Sequence, residues 1–265
     1  MKVSIIQAEI FWESPEKNFE HFSHLLDQIN ESTDLIVLPE MFSTGFSMHP
    51  ERVAEPVSGM ALQWMQKQAQ KKNCVVTGSV AVTDDGKFYN RLYWVEPNGQ
   101  YHTYDKRHLF RMAKEDAHYT AGQKNITTRI KNWRIRPLIC YDLRFPVWSR
   151  NHYKKLSTEA VEAQYDVLVY VANWPEVRNY PWKQLLIARA IENQCYVVGV
   201  NRIGPDGNGI MHSGDSMVIN PRGEIISQTK SYEKSVETIS LSRPYLDDFR
   251  HNFPAGLDAD NFTLD

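Results

Sequence analysis

The chain has 265 residues, 42% of them hydrophobic and 23% charged, enough to bury a large core in one globular unit. Lys and Arg number 30 against 32 Asp and Glu, a net charge of -2, so nothing in the balance calls for nucleic acid or an anionic membrane as partner. The longest apolar runs have strand length, well short of a membrane span, and Gln7 and Glu9 interrupt the N-terminal apolar stretch, so no signal peptide is read and a cytoplasmic protein is expected.

In chain order, residues 3–8 (VSIIQA) read as a strand. SPEKNFEHFSHLLDQIN follows as an amphipathic helix: Ser14 suits the N-cap, Pro15 the first helical position, and Phe19, Phe22, Leu25, Leu26 and Ile29 recur at helical spacing. DLIVLPE is a short, continuously apolar strand of the kind buried on both faces. SGMALQWMQKQAQKK predicts a helix and NCVVTGSVAV a strand. NRLYWVEP, a Pro-Asn-Gly turn and QYHTYDKRHLF predict a meander. RIRPLICYD and DVLVYVANW are strands, PWKQLLIARAIENQ a helix and CYVVGVNRIG a strand. DSMVINPRGEIISQT reads as a hairpin about Pro221–Gly223, and YEKSVETISLSR as a strand. Residues 240–265 show little periodicity and are expected to form an irregular extension. Its aromatic residues should pack against something, a subunit interface being one choice. DLIVLPE and DVLVYVAN are alike, which suggests two similar halves. Helices alternate with strands, but tight turns also join adjacent strands, so a single domain over 1–265 with mixed sheets layered by helices is expected.

Three cysteines are too few, and odd, for a disulfide framework, and they lack zinc spacing. Cys74 and Cys195 read as small apolar residues of core strands. Cys140 differs, because an apolar ramp ends on it and Tyr141, Asp142 and Arg144 follow. Glu40 and Lys106 end strands in the same way, and strand-end loops hold reactive groups rigidly yet reachably. Each alone has a bland reading: a solvated acid, a lysine of the surface run DKRH, a core thiol. Together they make an acyl-transfer set. A thiol needs a base or a positive neighbour to become a good nucleophile, a buried carboxylate supplies the base, and an ammonium stabilises the thiolate and the later oxyanion. Nine histidines leave a Cys–His pair open, His108 being near Lys106. His21 and His24 share helical spacing without further ligands, so no metal is expected. GPDGNG, at 204–209, lacks phosphate-loop and dinucleotide spacing and reads as a turn.

VLPEMF, YDKRHLF and LICYDLRFP, in that order, together with ARAIENQCYVVGVNRIG, resemble the carbon–nitrogen hydrolase, or nitrilase, superfamily from the first strand to about Gly214. The resemblance implies an α/β fold, an α-β-β-α sandwich that dimers stack into four layers, and so a homodimer or higher homo-oligomer. It implies a catalytic triad at Glu40, Lys106 and Cys140 with no cofactor. It implies that the Tyr141 N–H serves an oxyanion hole, and that a second glutamate is Glu115, seven positions before Gly122 in KEDAHYTAG. PEMFSTGFSM, ICYDLRFPVWSRN and VANWPEVRNYPW look most like bacterial ω-amidases. That resemblance implies a small-molecule amide substrate: the terminal amide of a 2-oxo-dicarboxylic monoamide, 2-oxoglutaramate or 2-oxosuccinamate, cleaved to the 2-oxo acid and ammonia through a cysteine thioester. An N-carbamoyl amino acid hydrolase or aliphatic amidase is the alternative, and a non-catalytic interaction protein on the same fold a remote one. Phe42, Tyr141 and Trp174 are expected to wall the pocket, with Arg144, Arg178 or Arg202 on a distal carboxylate. Asp142 and Arg144 are expected to brace the turn after Cys140, with contact to the substrate carboxylate as the alternative for Arg144.

Overall fold

The computed structural model describes residues 1–155, 161–260 and 262–263. Two mixed sheets form its centre. The first, of seven strands, runs in the order Ser235–Ser240, Lys2–Gln7, Leu35–Val37, Val75–Asp84, Lys87–Val95 and Tyr101–Asp105, with Glu55–Pro56 paired to Val75–Asp84 off this path. The second, of five strands, runs Met217–Ile219, Tyr196–Asn201, Val167–Ala172, Trp133–Ile139 and Thr128–Ile130. Both share one design. Lys2–Gln7, Leu35–Val37 and Val75–Asp84 are parallel, and antiparallel strands flank them. Trp133–Ile139, Val167–Ala172 and Tyr196–Asn201 are parallel and flanked likewise. DLIVLPE and DVLVYVAN supply the middle strand of each parallel trio, which explains their likeness.

Strand alternation builds the layers. Val3, Ile5, Leu35, Val37 and Val75 belong to one core with Ile135, Val167, Val169, Val171 and Val198 of the other sheet. Their neighbours Ile6, Ile36, Leu38 and Val76 point the other way, into a second core with Phe22, Leu25, Leu26, Met65 and Ala69 from the helices Pro15–Asp27 and Met60–Lys72. The helix Asn179–Glu192 buries Trp182, Leu186 and Ala190 on the outer side of the second sheet. Gly199 permits that close approach, since a Cβ there would lie 2.5 Å from Leu186 Cδ1. The result is an α-β-β-α sandwich.

Element boundaries differ from the sequence reading mainly where chemistry begins. Leu35–Val37 stops short of Glu40, Tyr101–Asp105 stops just before Lys106, and Trp133–Ile139 just before Cys140. Ser14 occupies the N-cap, but its side chain makes no capping bond. The expected hairpin about Pro221–Gly223 shrinks to a turn closed by one bridge, Ile219 to Ile225. The tail is not an irregular extension throughout. Arg243–Asn252 forms a helix, with Ser242 Oγ accepting the Tyr245 N–H at 3.3 Å. It docks on its own chain through buried Leu246 and Arg250, and Arg250 pairs with buried Asp166 at 2.7 Å. A charged residue at a core-facing position hides the helical stripe from hydrophobic patterning. Residues 261, 264 and 265 of the tail lie outside the described residues. No helix among the described residues is long and apolar enough to cross a membrane.

Candidate active site

Glu40, Lys106, Glu115 and Cys140 meet at the ends of strands from both sheets. Glu40 follows Leu35–Val37, and the chain then turns through Met41, whose φ is +43°. Ser79 Oγ accepts the Met41 N–H at 2.9 Å and pins this turn. Lys106 continues Tyr101–Asp105, its N–H donating to the Asn90 carbonyl at 2.9 Å. Glu115 opens the short helix Glu115–His118, where its carboxylate accepts the Phe110 N–H at 2.6 Å. Cys140 leaves Trp133–Ile139 at φ +43° and starts a 3₁₀ turn over Cys140–Arg144.

Glu40, Lys106 and Glu115 are wholly buried. Lys106 Nζ donates to Glu40 Oε1 at 2.8 Å and to Glu115 Oε1 and Oε2 at 3.1 and 2.9 Å. Asn90 Nδ2 donates to the same two acids at 2.8 and 3.2 Å. The second oxygen of Glu40 accepts the Asn173 N–H at 2.7 Å, and the Asn173 side-chain amide donates to the Glu40 carbonyl. An ammonium has three protons, so with one on Glu40 and one shared between the two oxygens of Glu115 a third remains for another acceptor.

Burial works against the Lys106 charge, but Glu115 and Glu40 outweigh it and raise its pKa, so the ammonium stays protonated. Glu115 is pushed up by burial, with Lys106 pulling against this and the Glu40 charge adding to it. Burial, and then the charge of Glu40, push the Cys140 thiol well above its ordinary value, while Lys106 opposes them. The resting sulfur therefore keeps its proton.

Cys140 is 8% exposed and lines a cavity of about 320 Å³. Tyr141, Trp174, Arg144, Arg178 and Phe110 are among its walls. Two expectations about the pocket are corrected. Phe42 is fully buried in the outer helix–sheet layer, 5.6 Å from Phe22 and 5.4 Å from Trp64 between ring centroids. The positive φ of Met41 redirects the chain after Glu40, and Phe42 is no wall. Arg202 is 1% exposed and is no wall of the cavity; its Nε and Nη2 donate to the carbonyls of Ile203 and Pro205, at 3.1 and 2.7 Å. Asp142 braces the nucleophile's turn, its Oδ2 accepting the Ile139 N–H at 3.0 Å. Arg144 does not brace it; its guanidinium lies over the Trp174 ring at 5.4 Å, facing the cavity. Cys74 and Cys195 are buried in the cores, and burial pushes the Cys74 thiol up to about 12.

Sequence reasoning missed Asn90 and Asn173. A signal for Asn173 existed: it follows Val167–Ala172 much as Glu40 follows Leu35–Val37 in the other half. For Asn90 the only signal is an amide within the apolar strand Lys87–Val95.

The carbon-nitrogen hydrolase family matches residues 2–251. The chain belongs to the carbon–nitrogen hydrolase family. It is 46% identical to Omega-amidase YafV of Escherichia coli (strain K12) over 265 residues, covering 100% of this chain and 98% of that protein. It is 34% identical to the 2-oxoglutaramate amidase of Bacillus subtilis (strain 168), over 85% of each chain. Among solved structures, XC1258 from Xanthomonas campestris, a CN-hydrolase superfamily protein with an arsenic adduct in its active site, matches at a TM-score of 0.95 and 39% identity, over 100% of this chain and 99% of that one. Nit3 of Saccharomyces cerevisiae, a nitrilase-superfamily member, shares the fold at a TM-score of 0.82 and 24% identity, over 96% and 94%. As a carbon–nitrogen hydrolase with these relatives, the protein is a hydrolytic amidase.

Proposed function

We propose that the protein cleaves the terminal amide of 2-oxo-dicarboxylic monoamides, 2-oxoglutaramate and 2-oxosuccinamate, to the 2-oxo acid and ammonia through a Cys140 thioester. The observation that carries this reading is the pocket's combination of a thiol beside a buried Glu–Lys–Glu cluster with two arginines that meet no acid. Among the described residues neither Arg144 nor Arg178 has a carboxylate in ion-pair reach; their guanidinium groups rest on the rings of Trp174 and Phe110, at 5.4 and 5.3 Å. Asp206 also lines the cavity, but its Oδ1 already accepts the N–H groups of Asn208 and Ile210 at 2.8 and 2.9 Å. Surplus positive charge in a small cavity favours an anionic substrate. The names of the E. coli and B. subtilis relatives support the same substrate class.

In this reading Glu40 takes the thiol proton as sulfur attacks the amide carbon. The third proton of Lys106 and the Tyr141 N–H stabilise the oxyanion. The intermediate collapses with Glu40 returning its proton to the departing ammonia. Water then gives a proton to Glu40 and attacks the thioester carbon. Collapse of the second intermediate expels the sulfur, which recovers its proton from Glu40. Glu115 holds Lys106 in place and positions the substrate.

Steady-state kinetics on 2-oxoglutaramate, a plain aliphatic amide of equal length and an N-carbamoyl amino acid tests the proposal. The first should have the highest kcat/KM. Arg144→Met or Arg178→Met should erase most of that preference, by raising KM for the anionic substrate while leaving the neutral amide little changed. Equal kcat/KM on the first two would leave a generic amidase, and faster cleavage of the third a carbamoylase.

A further inference from the structure

Asp142 is fully buried, and its two oxygens receive four donors. Oδ2 accepts the Ile139 N–H at 3.0 Å and the Tyr104 hydroxyl at 2.7 Å. Oδ1 accepts the His108 N–H at 3.0 Å and lies 2.8 Å from the His108 ring Nδ1. Ile139 immediately precedes the nucleophile. Tyr104 and His108 stand two residues either side of Lys106. The Tyr104 hydroxyl also accepts the Trp148 indole N–H at 2.9 Å and the Arg107 N–H at 3.3 Å, and the His108 ring stacks on Phe145 at 3.8 Å. One carboxylate thus joins the 104–108 segment, which carries Lys106, to the 139–148 segment, which carries Cys140. Hydrogen bonds to an ionised acceptor are the strong ones.

The turn needs such a hold. At φ +43° Cys140 occupies a region that non-glycine residues avoid unless their surroundings enforce it. The Ile139 N–H to Asp142 bond closes the turn over that strained residue. Glu40 and Glu115 grip Lys106 by its ammonium, and Glu115 also takes the Phe110 N–H, but among the described residues neither acid bonds the backbone of the Cys140 turn.

We propose that Asp142 is a positioning residue: it locks the Cys140 turn to the Lys106 loop, and so sets the sulfur–ammonium spacing and the aim of the Tyr141 N–H. The proposal rests on the roles given above to Cys140 and Lys106. Asp142 is not a wall of the cavity, so its loss should misalign the reacting groups while leaving substrate binding in place.

Asp142→Asn keeps the shape but turns one acceptor into a donor facing donors. On 2-oxoglutaramate, kcat should fall by about 100-fold, the scale of a 1 Å misplacement, with KM little changed. Arg250→Met is the control for general destabilisation. It breaks the pair with Asp166, which accepts the Arg134 N–H at the far end of the strand leading to Cys140, and should lower Tm while leaving kcat alone. Should Asp142→Asn fail to fold, Tyr104→Phe carries the test: it removes one donor and should lower kcat severalfold at constant KM. Wild-type kcat in the foldable variant, a loss confined to KM, or an equal kcat loss in Arg250→Met would overturn the proposal. Cys140→Ala separates this from the underlying reading. Turnover by Cys140→Ala refutes the nucleophile itself, whereas an inactive Cys140→Ala beside a fully active Asp142→Asn refutes only the latch.

Discussion

Lys106→Met should destabilise the protein in a pH-dependent way, apart from any effect on catalysis. Methionine fills nearly the same volume, so no cavity opens. What disappears is the cation between two wholly buried carboxylates, at 2.8 Å from Glu40 and 2.9 Å from Glu115. Breaking a buried ion pair by removing one partner costs about 3–5 kcal/mol. The entropy of unfolding for 265 residues is about 0.56 kcal/mol/K, so Tm should fall by roughly 5–9 °C near pH 8. The sign of the pH dependence follows from Glu115. Burial already raises its pKa while Lys106 pulls it down, so losing Lys106 raises it further. A carboxylate whose folded pKa lies above its unfolded value, about 4.3, makes the folded state bind the extra proton between those two values. Stability is then lost as pH rises through that window. The deficit of Lys106→Met against wild type should be smallest near pH 4–5 and largest at pH 8. Urea unfolding of both proteins across this range measures it. A variant as stable as wild type at pH 8, or one with its larger deficit at pH 5, would refute the reasoning.

Four cysteine variants follow. Cys140→Ala should abolish amide hydrolysis with Tm nearly intact, and Cys140→Ser should be almost as inactive, because a hydroxyl is far less acidic than a thiol. Cys74→Ser and Cys195→Ser should keep kcat and lose only stability, since both sulfurs lie in cores. The two glutamates should separate by intact-mass spectrometry after mixing with substrate. Glu40→Gln should form no acyl-enzyme, while Glu115→Gln should form it slowly; rapid acylation of Glu40→Gln would remove Glu40 as the base.

The strands and helices were legible because their signals are local. Period-two alternation placed Val3 and Ile5 on one face and Ile6 on the other, and the helical spacing of Phe22, Leu25 and Leu26 marked a buried stripe. The reactive residues were visible for a similar reason. An ionisable side chain that ends an apolar run stands out against its immediate neighbours, as Glu40 and Cys140 do, whereas Lys106, inside the charged run DKRH, is marked only by its place at a strand end. The tail helix was hidden because one of its buried positions is Arg250, whose burial makes sense only beside Asp166, 84 residues earlier.

By itself, the sequence determined the layer pattern, the likeness of the two halves and the strand ends that carry chemistry, since covalent neighbours set those periodicities. Tertiary structure alone decided who meets whom. Lys106 reaches Glu40 across 66 residues and Asn173 reaches it across 133, which no local pattern encodes. It also sorted chemically identical candidates. Arg144 and Arg178 face the cavity while Arg202 serves backbone carbonyls, and Phe42 turned into the outer core because the chain reverses at Met41. A side chain's type limits the chemistry it can do, but the packing of one sheet against the other decides whether it stands where that chemistry is needed.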